Sequence, residues 1–469
     1  MSKLSFLLAC MPLMIAASPA DTPQKIADDV SQQSLRSIVE RLVSFGTRHT
    51  LSSQTDPKRG IGAALRWTEQ EFRRYARACG GCLTIATPSD VVTGRRVPTP
   101  TKVTNVLAIQ RGTTDPNRVV IISGHIDSRV TDVMNATADA PGANDDGSGT
   151  AAVIEAARVL SRHKFPATVV YAALSGEEQG LLGGKILADY AKAQGWEVIA
   201  NLNNDIIGNS CGSDGYCDAA HVRVFSEGPR WQGREALAAR QRSLGGENDS
   251  PSRNLSRFMD GLAEDLGLGL EVRQIWRNDR FGRGGDHTEL LNAGYPAIRL
   301  TVAVENYNYQ HQDLRVENGI QYGDTVDKMD FPYLRKVTQL NVAALAALAS
   351  APAIPAPSVE GGVSTGTTLT WEPVRGAAFY VVRWRPTDAA SWQHSLRLDR
   401  ANGLETIEAP RAAGATGPVG RLHRAVLQGV RVDDWVFGVS AVSPDGYETP
   451  VASAVPGGAF RPYTPPPAQ

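Results

Sequence analysis

Between about residues 104 and 204 the chain alternates short, largely apolar runs with longer helix-patterned segments. Thr104–Ile109, Val119–Gly124, Ala167–Leu174 and Val198–Asn204 read as strands. Gly149–Arg162 and Gly180–Ala193 read as helices. Strands that stay apolar along their length are covered on both faces, and strand–helix alternation sets them side by side in a largely parallel sheet. The expected fold is α/β, a mostly parallel central sheet with helices on both faces. Ligands of such sheets sit beyond the carboxyl ends of the strands. His125, Glu177 and Asp205 each follow the end of an apolar run.

Metal-binding side chains cluster at five places: Gly124-His125-Ile126-Asp127-Ser128, Asn144-Asp145-Asp146-Gly147-Ser148-Gly149, Ser175-Gly176-Glu177-Glu178, Asn203-Asn204-Asp205 and Tyr309-Gln310-His311-Gln312-Asp313. Two histidines and three carboxylates suit two zinc ions that share one carboxylate, and a further carboxylate beside them suits a base for metal-activated hydrolysis. His125 and Asp127 lie two residues apart, so on an extended strand they point to one side. His125 on metal, with Asp127 accepting its other ring N–H, would fix the tautomer. A single Asp before a helix is an ordinary cap. The Asp145-Asp146 pair lies among Gly142, Gly147 and Gly149, which let backbone approach an ion closely. Glu177 and Glu178 repel each other unless cations compensate them. One can bind metal while the other takes a proton from activated water and passes it to a leaving amine. Asp205 adds a third acid and His311 a second imidazole.

A chain of 469 residues exceeds one ordinary core. Its 48 basic and 49 acidic residues nearly cancel, which leaves no basic stripe for nucleic acid. Residues 1–20 read as a secretory signal peptide. Lys3 precedes the apolar stretch Leu4–Ala17, which is too short to span a membrane, and Ser18-Pro19-Ala20 offers a small-residue cleavage site. Export to the periplasm or the extracellular space follows. Leu7-Leu8-Ala9-Cys10 resembles a lipoprotein box, but the apolar run before Cys10 is about six residues, shorter than an ordinary signal core. No later run is long enough for a transmembrane helix. Cys79, Cys82, Cys211 and Cys217 remain after cleavage, an even number that favours disulfides in an oxidising compartment. The local pairings are Cys79–Cys82 and Cys211–Cys217, out of three formal connectivities.

Residues 21 to about 60 read as polar helix, with Leu35, Ile38, Val39 and Leu42 at helical spacing, and Ala63–Ala78 as a second helix. Phe331–Ala349 closes a catalytic domain of residues 21–350. A Pro-rich linker follows at 351–357. Residues 358–461 change to short alternating strands. A Trp in an early strand (Trp371), a Tyr-bearing strand next (Tyr380) and a late strand ending in Pro444-Asp445-Gly446 make this stretch similar to a fibronectin type III β-sandwich. Its expected part is accessory: a binding surface, a surface or cell-wall ligand site, or a spacer. Residues 462–469 read as a disordered Pro-rich tail.

From about residue 100 to 350 the motifs resemble those of the family-28 metallopeptidases, zinc exopeptidases that include bacterial aminopeptidases. Gly124–Ser128 matches their Gly-His-x-Asp-Ser, Asp145–Gly149 their Asp-Asp-Gly-Ser-Gly, and Glu177, Glu178 and Gly180 their Glu-Glu pair and glycine. The resemblance implies that Asp145 bridges two Zn2+ ions. His125 and Asp205 then hold one ion, and Glu178 and His311 the other. Glu177 becomes the general base and Asp127 orients His125. It also implies a cis peptide at Asp145–Asp146 and peptide substrates, with the free N-terminus attacked. His287, in Gly285-Asp286-His287, should line the cleft without binding metal. Two departures stand out. Residues 312–319 intervene before Tyr322-Gly323-Asp324-Thr325, where relatives have a shorter connection, and Phe281-Gly282-Arg283-Gly284 occupies the place of a tyrosine. A carboxypeptidase or dipeptidase would use the same core with a cationic clamp, for which Arg280, Arg283 and Arg299 are available. A glutaminyl cyclase would use one zinc, and a non-catalytic binding protein none.

Overall fold

A computed structural model describes residues 22–229, 244–410, 420–455 and 458–459. The expected signal peptide, the Cys10 box and the C-terminal tail lie outside these residues.

The chain opens with helices α1 (Pro23–Asp28), α2 (Gln32–Val43) and α3 (Ile61–Ala78). Strands β1 (Leu83–Ala86), β2 (Ser89–Gly94), β3 (Val97–Thr104), β4 (Val106–Gln110) and β5 (Asp115–His125) follow, then α4 (Gly147–Leu160), β6 (Ala167–Leu174), α5 (Leu182–Ala193) and β7 (Glu197–Asn204). Beyond these come β8 (His221–Ser226), α6 (Pro251–Leu266), β9 (Glu271–Ile275), α7 (His287–Asn292), β10 (Ala297–Val302), the hairpin β11 (Arg315–Glu317) and β12 (Ile320–Tyr322), and α8 (Phe331–Ser350). Eight strands form one sheet in the order β1-β4-β6-β5-β7-β10-β8-β9. Its centre, β6-β5-β7-β10, is parallel, while β4 and β8 run antiparallel to their inner neighbours.

The apolar runs are explained by burial on both faces. Val120 and Ile122 of β5 join the core beneath α2, α4 and α8, whereas Val119 and Ile121 join the one beneath α5 and α7. Adjacent residues of a strand point to opposite faces, so a doubly covered strand has no polar side to show. The close approach of β5 to α4 requires glycine: a Cβ on Gly124 would meet the Gly149 backbone at 2.6 Å.

The N-terminal expectation needs correction. Helix ends at Val43, and residues 44–60 turn inward as a loop instead of continuing it. The reason is Arg48, which is 1 % exposed. Its guanidinium donates to the carbonyls of Ile126 (2.6 Å), Leu42 (3.2 Å), Pro141 (2.6 Å) and Gly142 (2.8 Å). It thereby ties the end of α2 to the segments flanking the β5–α4 connection. Desolvation lowers its pKa to about 10, against the pull of nearby carboxylates such as Asp324 and Asp127.

After α8, Ala351, Pro352, Pro355 and Pro357 are buried. Strands β13 (Ser358–Glu360), β14 (Thr367–Trp371), β15 (Phe379–Pro386), β16 (His394–Leu398), β17 (Glu405–Glu408), β18 (Arg421–Leu427), β19 (Trp435–Val442), β20 (Ala452–Val455) and β21 (Gly458–Ala459) make up the C-terminal part. Eight of them follow one path, β16-β15-β19-β20-β13-β14-β18-β17, whose halves meet at the pair Ser358–Val455, and β21 pairs with β20 off that path. Leu369, Trp371 and Leu427 of one half share a core with Tyr380, Val382, Phe437 and Val439 of the other. Disulfides join Cys79 to Cys82 and Cys211 to Cys217.

Replacing Arg48 leaves buried carbonyls without donors. Arg48→Met should lower the unfolding free energy by about 3–5 kcal/mol in equilibrium urea unfolding. Arg48→Lys should recover only part of this, because an ammonium cannot match the fork.

Candidate metal centre

Three adjacent parallel strands, β6, β5 and β7, end at the same edge of the sheet. They deliver Glu177 and Glu178, His125, and Asp205 to that edge. Asp145 stands in the turn before α4, and His311 in the loop after β10. Two triads result: His125, Asp145 and Asp205, and Asp145, Glu178 and His311. Within each, one donor atom per residue lies within 4.8 Å of the others. His125 Nε2 is 3.2 Å from Asp145 Oδ1 and 3.9 Å from Asp205 Oδ1. His311 Nε2 is 2.9 Å from both Asp145 Oδ2 and Glu178 Oε1. The carboxylate of Asp145 therefore faces one histidine with each oxygen.

The donor chemistry fits zinc, since imidazole nitrogens and single carboxylate oxygens are its usual ligands. Glu178 Oε1 is buried, and the polar group facing it is His311 Nε2 at 2.9 Å. Burial disfavours charge on His311, yet the carboxylates of Glu178 and Asp145 raise its pKa to about 10. Glu177 sits partly exposed at the cleft floor. Its pKa is pushed well above the ordinary value by desolvation, opposed by His125 and reinforced by Glu178 and Asp205. That is the environment of a carboxylate able to accept and hold a proton.

The turn carrying Asp145 is fastened by backbone hydrogen bonds to two other acids. Asp146 accepts from the amides of His125 (2.9 Å) and Gly149 (2.8 Å), the latter as the cap of α4. Asp324 accepts from the amides of Asn144 (2.9 Å) and Asp145 (2.7 Å). The Asp145–Asp146 peptide is cis. The departure at residues 312–319 resolves as the β11–β12 hairpin, after which the chain returns to bring Asp324 under the turn. His311 itself has φ 58°, and Ile206, directly after Asp205, has φ 61°. Left-handed backbone is uncommon for any non-glycine residue and rare for a β-branched one.

Asp127 behaves differently from the sequence expectation. His125 Nδ1 lies 3.1 Å from the Asp127 carbonyl oxygen and 3.6 Å from its carboxylate. The carboxylate instead accepts from the amides of Gly176 (3.0 Å), Glu177 (3.3 Å) and Glu178 (3.1 Å) and from the Thr50 hydroxyl (2.9 Å). It sets the Glu177–Glu178 turn while its backbone orients the ring. His287 does not line the cleft. It is fully buried, with Nε2 2.9 Å from the Asn278 carbonyl, because α7 packs it under the loop 276–284.

Arg129 escaped the sequence reading, and Arg299, considered there as a substrate clamp, has another part. Arg299, 0 % exposed on β10, holds Asp205 Oδ2 at 2.9 Å and both oxygens of Asp279 at 2.9 Å. It therefore leaves Asp205 one free oxygen and is unavailable as a substrate clamp. Arg129 donates to Glu178 Oε2 at 2.8 Å, and its Nη2 lies 2.7 Å from His311 Nδ1. Neither showed in the motifs, because a lone arginine carries no spacing signal. The cleft above these residues holds about 510 Å3, between the β2–β3 hairpin with Arg95 and Arg96 and the loop with Arg280 and Arg283.

The sequence model of the family described as "Peptidase family M28" matches residues 105–331. A probable zinc metalloprotease of Pyrenophora tritici-repentis is 41% identical over 451 residues, covering 95% of this chain and 89% of its own. Another from Leptosphaeria maculans is 40% identical over 449 residues, covering 95% and 99%. Among solved structures, LapB from Legionella pneumophila has a similar fold, with TM-score 0.50 and 18% identity, over 72% of this chain and 77% of that one.

An arginine can only donate, so His311 Nδ1 beside Arg129 must accept. A neutral ring that holds a cation through Nε2 carries its proton on Nδ1, directly against that donor. Arg129 therefore opposes a cation between Glu178 and His311, by charge and by tautomer. Arg129→Gln should tighten zinc binding about tenfold in equilibrium dialysis against a competing chelator. Unchanged or weaker binding would show that Arg129 assists the site.

Proposed function

Since the chain belongs to peptidase family M28 and is a zinc metallopeptidase, we propose that it is an exported exopeptidase with two zinc ions, removing residues from the N-terminus of peptides. The carrying observation is the pair of triads that share Asp145. In this reading His125 and Asp205 would hold one ion, Glu178 and His311 would hold the other, and Asp145 would contribute to both. When bound, zinc supplies Lewis acidity and brings the pKa of water down towards about 7. Glu177 accepts the proton of the attacking water and returns it to the departing amine. Asp127 keeps Glu177 at its post through the amides of the turn, and its backbone carbonyl orients His125.

The choice of an amino- over a carboxypeptidase is supported by the arginines. A substrate carboxylate needs a free cationic clamp. Of the three arginines considered for it, Arg299 is consumed by Asp205 and Asp279, and Arg280 and Arg283 each lie 3.1 Å from Glu305 Oε2. A carboxylate-rich cleft floor favours an amino terminus instead. Export is supported by the apolar N-terminal stretch and by two disulfides, which persist in oxidising compartments. Among the described residues no helix is long and apolar enough to cross a membrane. The proposed division is a peptidase domain at 21–350 and a fibronectin type III-like module at 358–461, joined by residues 351–357.

Purified protein should hydrolyse aminoacyl amides and short peptides with a free N-terminus, but not N-acetylated ones. Chelation should abolish the activity and zinc restore it. Glu177→Gln should cost about 10²–10⁴-fold in kcat with zinc content unchanged. Preference for blocked peptides with a free C-terminus would overturn the aminopeptidase assignment. Full activity of Glu177→Gln would overturn the mechanism.

A further inference from the structure

The C-terminal module meets the peptidase body through an alternation of arginines and tryptophans. Arg253 and Arg257 on α6 each place their guanidinium carbon 5.4 Å from the Trp276 ring centroid. Arg257 also lies 6.0 Å from the ring of Trp392, in the β15–β16 loop, and Arg385 of β15 lies 5.1 Å from that ring. The order is Arg253, Trp276, Arg257, Trp392, Arg385, and it crosses from body to module. All three arginines are buried, at 6 %, 6 % and 1 % exposure.

Among the described residues, two acids, Asp249 and Glu227, face these three arginines. Asp249 is the one buried partner of Arg385, with Nη2 2.7 Å from both its oxygens, and it also accepts from Ser453 at 2.7 Å. Arg253 Nε and Nη1, Arg257 Nη2 and Arg385 Nε have no hydrogen-bond acceptor among the described residues. The aromatic faces take that place, as cation–π contacts do where cations are desolvated. Arg257 completes the junction by donating to the Ala390 carbonyl at 2.6 Å and the Asn248 carbonyl at 2.7 Å. A tethered spacer needs no such buried charge.

Trp276 is also the root of the cleft wall. It directly follows β9, and three residues later Asp279 receives Arg299, whose other arm holds Asp205. Arg280, Gly282, Arg283 and Gly284 then line the cleft. We propose that the C-terminal module is a buttress of the substrate cleft: Arg385 and Trp392, acting through Arg257 and Trp276, are positioning residues for the 277–284 wall. This rests on reading that cleft as the peptide site. The exchange measurements below, however, do not depend on activity.

The test uses full-length protein with Trp392→Ala, Trp392→Phe and Arg385→Ala, none of which touches the metal residues. Trp392→Ala and Arg385→Ala should raise KM about tenfold, with kcat little changed and zinc content intact, since wall geometry and not chemistry is disturbed. Amide exchange in 277–284 should accelerate, and Trp392→Phe, which keeps a ring face, should restore both readouts. Should the alanine variants not fold, native-state exchange on the unmutated protein decides: amides of 277–284 and of 385–392 should open together as denaturant rises. Independent opening of the two segments would overturn the proposal. So would an alanine variant that loses stability yet keeps KM and exchange of 277–284. A wild-type protein without peptidase activity would count against the functional reading, while the exchange result would still judge the buttress.

Discussion

One oxygen of the Asp145 carboxylate faces His125 and the other faces His311. That shared group joins a central strand end to a loop far along the chain, and the surrounding structure serves to hold it there. Asp324 takes the amides before it, Asp146 caps the helix after it, and Arg48 gathers the carbonyls of the flanking segments. Each of these groups is buried. The turn is thus fixed by hydrogen bonds to charged side chains, which are worth roughly 1.5–3 kcal/mol apiece.

The same place concentrates negative charge. Asp145, Glu177, Glu178 and Asp205 converge there, while Arg129 and Arg299 are the two guanidinium groups in contact with the acids of the triads. Two like charges about 4 Å apart cost about 4 kcal/mol at the effective dielectric of a protein surface, so two arginines cannot offset four acids. Zinc held by the triads would offset that charge. The arginines have another consequence. Each occupies one oxygen of a terminal carboxylate, which leaves Asp205 and Glu178 a single oxygen apiece to offer a metal.

Much of this was legible in the sequence because the fold and the chemistry obey short-range rules. The apolar runs declared a doubly covered sheet, and the residues just past β5, β6 and β7 declared the edge where a ligand belongs. Cluster spacing located His125, Asp145, Glu177, Glu178, Asp205 and His311, and the structure brings all six together. What stayed hidden depends on contacts across long stretches of chain. Arg48 ends a helix that periodicity alone would prolong, because three carbonyls from distant segments, with that of Leu42, take its donors. The Asp127 carboxylate turns to the 176–178 amides, a choice decided by where β6 ends. His287 resembles a cleft residue in its motif and is buried by the packing of α7. Arg129 and Arg299 have no motif at all, and the Arg–Trp ladder joins residues separated by more than a hundred positions.

The C-terminal strands are therefore joined to the peptidase body by a buried junction, and the Pro-rich segment before them is packed rather than free. Fold, cleft wall and the two triads form one connected set of contacts, centred on Asp145. The most direct measurement of that centre is anomalous diffraction at the zinc edge from crystals of the full chain grown with zinc. Two peaks are predicted, one bounded by His125, Asp145 and Asp205 and the other by Asp145, Glu178 and His311. A single peak, or two that do not share Asp145, would contradict the account.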